Sequence, residues 1–188
     1  MLYTYAQQIE KHVKHNDTIT LKDLLTITGE NSLLVVLIFL SVFNIILSPL
    51  PMNSIVMGIP LFILSGLYLF KVDISEKDYK FLHKEHSCIK WRKYIERLIP
   101  YIMKFEDWSN SRWHKILTLE NRILTGISLT AMAFIILLPI PFANIPGSIG
   151  IIFVALGILQ KDGLFVLGGY GIFALHIWGV FMLQYITN

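Results

Sequence analysis

Hydrophobic positions in this chain fall in long unbroken runs separated by a few polar or proline-rich interruptions. The first run, Ser32 to Leu47, holds sixteen residues with no charge among them. At 1.5 Å per residue a helix of that length reaches roughly 24 Å, short of a hydrocarbon core of about 30 Å. Pro49 and Pro51 then break the pattern, and each pushes its preceding residue toward extended backbone, so Ser48 to Asn53 is expected to turn. A second short run covers Ile55 to Phe70, with Gly58 and Pro60 near its expected start, where a proline costs little. The same order returns later: Ile123 to Leu138, a turn from Pro139 to Pro146, and Ile149 to Leu159 in shortened form. A last run, Leu164 to Ile186, is long enough to span a bilayer with some tilt.

The recurrence has a fixed period. Placing residues 29–51 on 119–141 without a gap pairs Glu30 with Glu120, Asn31 with Asn121, Leu34 with Leu124, Ile45 to Leu47 with Ile135 to Leu137, and both prolines. Leucines and isoleucines coincide readily in apolar stretches, so the Glu-Asn and Pro-x-Pro pairs carry the signal. The chain therefore reads as two proline-tipped helical hairpins, residues 29–70 and 119–160, followed by a C-terminal helix over 164–186. Both hairpins leave and return to one face, which makes the repeat a parallel one.

Ahead of the first hairpin, residues 3 to 14 predict a short surface helix, and Thr20-Leu-Lys-Asp23 predicts a capping box opening a second that Gly29 ends. Residues 1–28 lack an apolar h-region and a small-residue cleavage site, so no removable signal peptide is expected. Between the hairpins, residues 71–118 form the one long polar stretch. Ile95, Leu98, Ile99, Ile102 and Phe105 recur there at helical spacing among Trp91, Tyr94, Tyr101, Trp108 and Trp113, which fits an amphipathic helix lying in the lipid interface, kinked at Pro100.

Composition sharpens this into an all-α integral membrane protein, read as one membrane domain over residues 1–188. Hydrophobic residues make up 54% of the chain and charged ones 15%, and the mean hydropathy is +0.60, outside the range of water-soluble domains. The net charge of +3 matters less than its placement, because eleven of the sixteen Lys and Arg lie between Lys71 and Lys115. Basic flanks stay on the cytoplasmic side, which puts residues 71–118, Lys161 and the N-terminus there, and the charge-free proline tips on the opposite side or inside the bilayer. That location makes the basic and aromatic segment a membrane flank rather than a nucleic-acid surface. The single cysteine, Cys88, excludes an intrachain disulfide.

Candidate chemistry is sparse. No paired carboxylates, Ser/His/Asp set or phosphate-binding glycine loop occurs at a recognisable spacing, so no catalytic residue is expected. His12 with His15, and His83, Glu85, His86 and Cys88, are too few or wrongly spaced for a structural metal, and no metal or cofactor is expected. Polar side chains inside the runs, among them Asn44, Ser65, Thr125, Ser128 and Thr130, are expected mostly to bond between helices. The sharper substrate-binding candidates are Pro49, Pro51 and Asn53 with Pro139, Pro141 and Asn144, because proline-broken segments at matching places in two halves point to a site at the repeat interface. Tight turns that need no ligand explain the same prolines. His176, the one titratable residue deep in an apolar run, joins the candidates as a proton-binding group or as a neutral interhelical hydrogen bonder. Glu30 and Glu120 read as caps at equivalent helix starts.

With these residues in view the chain resembles the exopolysaccharide synthesis ExoD family of bacterial inner-membrane proteins over most of its length. The likeness rests on Thr20-Leu-Lys-Asp-Leu-Leu25 with Gly29-Glu30, Leu47-Ser-Pro-Leu-Pro51, Gly58-Ile-Pro-Leu61, Leu138-Pro-Ile-Pro141 and, most specifically, Ala155-Leu-Gly-Ile-Leu-Gln-Lys-Asp-Gly163. The family pattern places a basic residue just after the acidic one at the hairpin start; here position 31 is Asn, while Arg122 follows Glu120 and Asn121. The resemblance implies support of exopolysaccharide production and, in some members, growth under alkaline conditions, and it brings no catalytic residues. The expectation is therefore a non-enzymatic, multi-pass inner-membrane protein, in contact with membrane lipid and the exopolysaccharide synthesis machinery and without nucleic acid. The alternative is a small transporter of protons, cations or a lipid-linked sugar between the two repeats. A membrane enzyme on lipid-linked glycans would have only Glu30, Glu120 and Asp162 to use.

Overall fold

The computed structural model describes residues 2–16, 18–49, 53–72, 86–87, 119–138 and 144–187. These are helical apart from turns and one pairing of two-residue strands, so the chain is all-α, as its hydrophobic runs predict. It divides into two compact units, residues 1–32 with 73–111, and residues 33–72 with 112–188.

The first unit contains α1 (Leu2–His15) and α2 (Leu21–Thr28). The capping box forms as the sequence predicts: the Asp23 amide donates to Thr20 Oγ1 at 3.1 Å, and the Thr20 amide donates to Asp23 Oδ2 at 2.9 Å. Gly29 ends α2 at φ +52°, a left-handed conformation that suits a residue without Cβ, and Gly29–Asn31 continue as one 3-10 turn. Thr18–Ile19 (β1) pairs antiparallel with His86–Ser87 (β2), so His86 lies on a short strand. The expected amphipathic helix over residues 91–105 lies outside the described residues, as does Cys88.

The second unit holds α3 (Ser32–Leu47), α4 (Asn53–Leu69), α5 (Leu119–Leu137), α6 (Asn144–Gln160) and α7 (Gly163–Thr187). The first helix matches the predicted run at both ends. Two others do not. Helix α4 begins at Asn53, so Pro60 sits inside it and leaves the Val56 carbonyl without the amide that would normally bond it. Helix α6 begins at Asn144 rather than Ile149, with Pro146 in its first turn, where the missing N–H has no intrahelical role.

Glycines set which helices meet. A Cβ built on Gly58 would stand 2.8 Å from the Leu137 Cα, and one on Gly126 would stand 3.0 Å from the Leu69 Cα, so α4 and α5 run antiparallel in backbone contact. Gly147 meets Ile136 and Gly150 meets Met132, which makes α5 and α6 antiparallel; Gly157 against Val166 and Gly169 against Val154 do the same for α6 and α7. The long partner of α4 is therefore α5 rather than α3, its neighbour in the expected first hairpin. The core between them is Leu61, Leu129, Met132, Ala133, Ile136, Ile151, Val154, Ala155, Leu159 and Val166. These pairings place the last turns of α3 and α5 and the first turns of α4 and α6 at one end of the unit, which is the end of the proline turns.

The opposite end is closed in a repeated way. Lys71 and Lys161, ninety residues apart, both adopt φ 56°, and each follows its helix with the same pair of bonds. The Lys71 amide donates to the Tyr68 carbonyl at 3.2 Å and the Val72 amide to Leu67 at 2.9 Å; the Lys161 amide donates to Ile158 at 3.2 Å and the Asp162 amide to Gly157 at 2.8 Å. Both are Schellman closures with lysine where glycine is usual. Asp162 then caps the next helix, its Oδ1 accepting the Leu164 amide at 3.0 Å.

Among the described residues no helix is long and apolar enough to cross a membrane. That includes α7, the run expected to span.

Candidate functional site

The proline-turn end of the second unit holds a connected group of amides and hydroxyls. Asn44, one turn before the end of α3, is fully buried, and its side-chain nitrogen donates to Ser148 Oγ at 2.8 Å. Asn53 opens α4 and donates from Nδ2 to Asn44 Oδ1 at 2.7 Å and to the Asn44 carbonyl at 3.2 Å. Ser54 and Asn144 bond each other twice, Ser54 Oγ to Asn144 Oδ1 at 3.2 Å and Asn144 Nδ2 to Ser54 Oγ at 3.1 Å. Helix starts are rich in side chains of this kind because their first amides lack intrahelical partners. Here two helix starts, those of α4 and α6, are laid against the last turn of α3, and the short polar side chains meet.

Ser54 and Asn144 are separated by the ninety-residue period of the sequence.

Chemically the group is neutral. Amides and hydroxyls donate and accept hydrogen bonds, but none of these residues titrates near neutral pH, and none is a carboxylate, imidazole or thiol. Among the described residues no three His, Cys, Asp or Glu gather to hold a metal. Within the first unit, His12 stands 3.6 Å from Asp23, and His15 Nδ1 bonds the Lys11 carbonyl at 2.7 Å, so these two histidines are tied to their own helices' neighbourhood.

Of the residues singled out in the sequence, Asn53 and Asn144 join this one group. Pro49 sits exposed in the turn after α3; Pro51, Pro139 and Pro141 lie outside the described residues, as do the side chains of Glu30 and Glu120. His176 is 9% exposed on the stripe of α7 that also carries Val166 and Gly169, and its Nε2 has no hydrogen-bond partner. It takes no part in the amide group. Asn44 was legible as an interhelical bonder; Ser54 and Ser148 were missed, although the period itself, run from Asn144 back to Ser54, would have found one. Ser65, Ser128 and Thr130 bond carbonyls of their own helices at 2.8–2.9 Å instead of reaching across, because a hydroxyl three or four residues on already touches that backbone.

The profile of the exopolysaccharide synthesis ExoD family matches residues 3–182. The chain belongs to that family. Its similarity to a curated relative, the protein ExoD of Rhizobium meliloti (strain 1021), is 28% identity over 160 residues, covering 82% of this chain and 65% of the relative. The chain thus spans just under two thirds of that ExoD protein's length. No solved structure matches it. Of the motifs that suggested the family, Ala155 to Gly163 has the clearest structural role: it carries Gly157, the Lys161 closure and the Asp162 cap, which together turn α6 into α7.

Proposed function

We propose that this ExoD-family chain is a non-enzymatic protein of the bacterial inner membrane that supports exopolysaccharide synthesis or export. The observation that carries the membrane reading is the outside of the second unit. Phe39, Phe43, Ile46, Val56, Ile63, Phe134, Leu175, Trp178 and Phe181 are each at least 41% exposed there. No Asp, Glu, Lys or Arg occurs in residues 33–70, 123–160 or 163–187. A helix facing water carries charge on its outer side, and one facing lipid does not. Helices α3 to α6, at 16 to 19 residues, are short for separate spans, which suits a bundle seated in the bilayer as one body with its proline turns at or within the far leaflet. The basic stretch 71–118 and the N-terminal helices then remain cytoplasmic, and lipid and the polysaccharide machinery are the partners.

The transporter reading needs polar groups open to a solute. The amides and hydroxyls of the proline end bond one another, which favours a clamp joining α3, α4 and α6 over a conduit. Within the helices of the second unit, Ser41 Oγ and His176 Nε2 are buried without a partner.

Deleting the gene tests the role: secreted exopolysaccharide falls, and plasmid-borne wild type restores it. His176→Ala restores it equally if the protein is a scaffold. Unchanged polysaccharide in the deletion strain overturns the role, and failure of His176→Ala at normal protein level favours the transporter.

A further inference from the structure

Away from the prolines, at the lysine-closed end of the second unit, the unsatisfied groups are all donors. Arg122 stands in the first turn of α5, with its guanidinium carbon 5.2 Å from the centre of the Tyr68 ring. Its Nε is buried without an acceptor, and among the described residues no carboxylate pairs with it. Gln160 ends α6, and its side-chain nitrogen is likewise buried without an acceptor. The two are level across the α5–α6 contact: Gly150 touches Met132, and ten residues back along α5 and ten onward along α6 lead to Arg122 and Gln160. Asp162, two residues after Gln160, is already bonded to the Leu164 amide and fully buried, and the side chain of Glu120, two residues before Arg122, lies outside the described residues.

We propose that Arg122 and Gln160, backed by the Tyr68 ring, bind a phosphate group at this end of the bundle. A buried donor left unmet forfeits its hydration without replacement, and a charged one forfeits more, so a pair of them in one layer is unfavourable unless an acceptor arrives. A single anion with several oxygens meets both. The guanidinium presents Nε and a terminal nitrogen as a planar fork that matches two phosphate oxygens, the amide nitrogen offers a third bond, and the aromatic face holds the guanidinium plane in place. A carboxylate has two oxygens, both taken by the fork, and leaves the Gln160 nitrogen without an acceptor of its own, whereas a phosphate has a third oxygen to offer. The phosphate comes either from a lipid phosphomonoester or from a soluble phosphorylated compound. The inference stands apart from the polysaccharide role, since binding is measurable with no polymer present.

The test uses the full chain purified in dodecyl maltoside, with two probes, inorganic pyrophosphate and dioleoyl phosphatidic acid in mixed micelles. Thermal unfolding and native mass spectrometry read the binding. Saturable binding of at least one probe is expected, weakened about tenfold or more by Arg122→Gln. Gln160→Glu is the decisive variant, because its new carboxylate occupies the guanidinium and keeps the fold while excluding the anion: binding is lost at an unchanged or raised melting temperature. Phosphatidic acid alone identifies a lipid source, and pyrophosphate binding identifies a site open to soluble phosphates. The proposal is overturned if neither probe saturates, or if Gln160→Glu binds as the unaltered chain does.

Discussion

Asn44 shows what one side chain holds together. Its amide accepts from Asn53 and donates to Ser148, so three helices share it. Asn44→Ala leaves the buried Ser148 hydroxyl without its donor and Asn53 Nδ2 with only its longer bond to the main-chain carbonyl, and a loss of about 1–2 kcal/mol is expected in the thermal unfolding of the detergent-solubilised protein. Asn144→Ala removes only the paired bonds to Ser54 and is expected to cost less. Lysine at 71 works in the other direction. Its left-handed backbone is strained by a Cβ, so Lys71→Gly is expected to stabilise the second unit by about 1 kcal/mol. A melting temperature that falls for Lys71→Gly would mean that its exposed side chain contributes more than the backbone loses.

Between helices the energetics turn on backbone approach. At Gly58 and Gly126 an added methyl would meet the backbone of the neighbouring helix at 2.8–3.0 Å, which cannot rotate away. Gly66, on the same helix as Gly58, has open space around it. Gly58→Ala and Gly126→Ala are each expected to destabilise by about 1–3 kcal/mol, while Gly66→Ala is neutral or slightly favourable, and the contrast is read from the three melting curves. Helix extents were largely legible, because charge-free runs end at prolines, glycines and lysines. The extra turn at the start of α6 was not, because Pro146 looks like an interruption in sequence and acts as a first-turn residue in the fold. The partner of α4 was also hidden: Gly58 and Gly126 are ordinary small residues until their opposite backbones are known.

At the scale of the molecule the helices of the second unit expose a broad apolar surface, with Lys71 and Lys161 at its ends. If lipid covers it, the protein stays with the membrane pellet after alkaline carbonate washing, and Ile63→Lys with Leu175→Lys lowers the recovered amount several-fold, since a lysine in the hydrocarbon costs about 2.5–3.5 kcal/mol even when the helix inserts. Recovery in the wash would count against an embedded bundle. Two pairs of residues ninety positions apart are alike or in contact in the fold: Lys71 and Lys161 form matching Schellman closures, and Ser54 bonds Asn144.

The sequence by itself determined which stretches are helical, that the second unit's helices carry no charge beyond Glu120 and Arg122 in the first turn of α5, and that its polar positions are few enough to count. These follow from local rules: a proline without N–H, a left-handed turn, the absence of Asp, Glu, Lys and Arg from residues 33–70 and 123–160. Only the tertiary structure decided that Asn44, Asn53, Ser54, Asn144 and Ser148 share one hydrogen-bonded group, and that Arg122 and Gln160 face a common layer with their donors unmet. Those outcomes depend on which helix lies beside which. That choice is made where two backbones come within contact distance across a glycine, a fit between distant surfaces that no local pattern records.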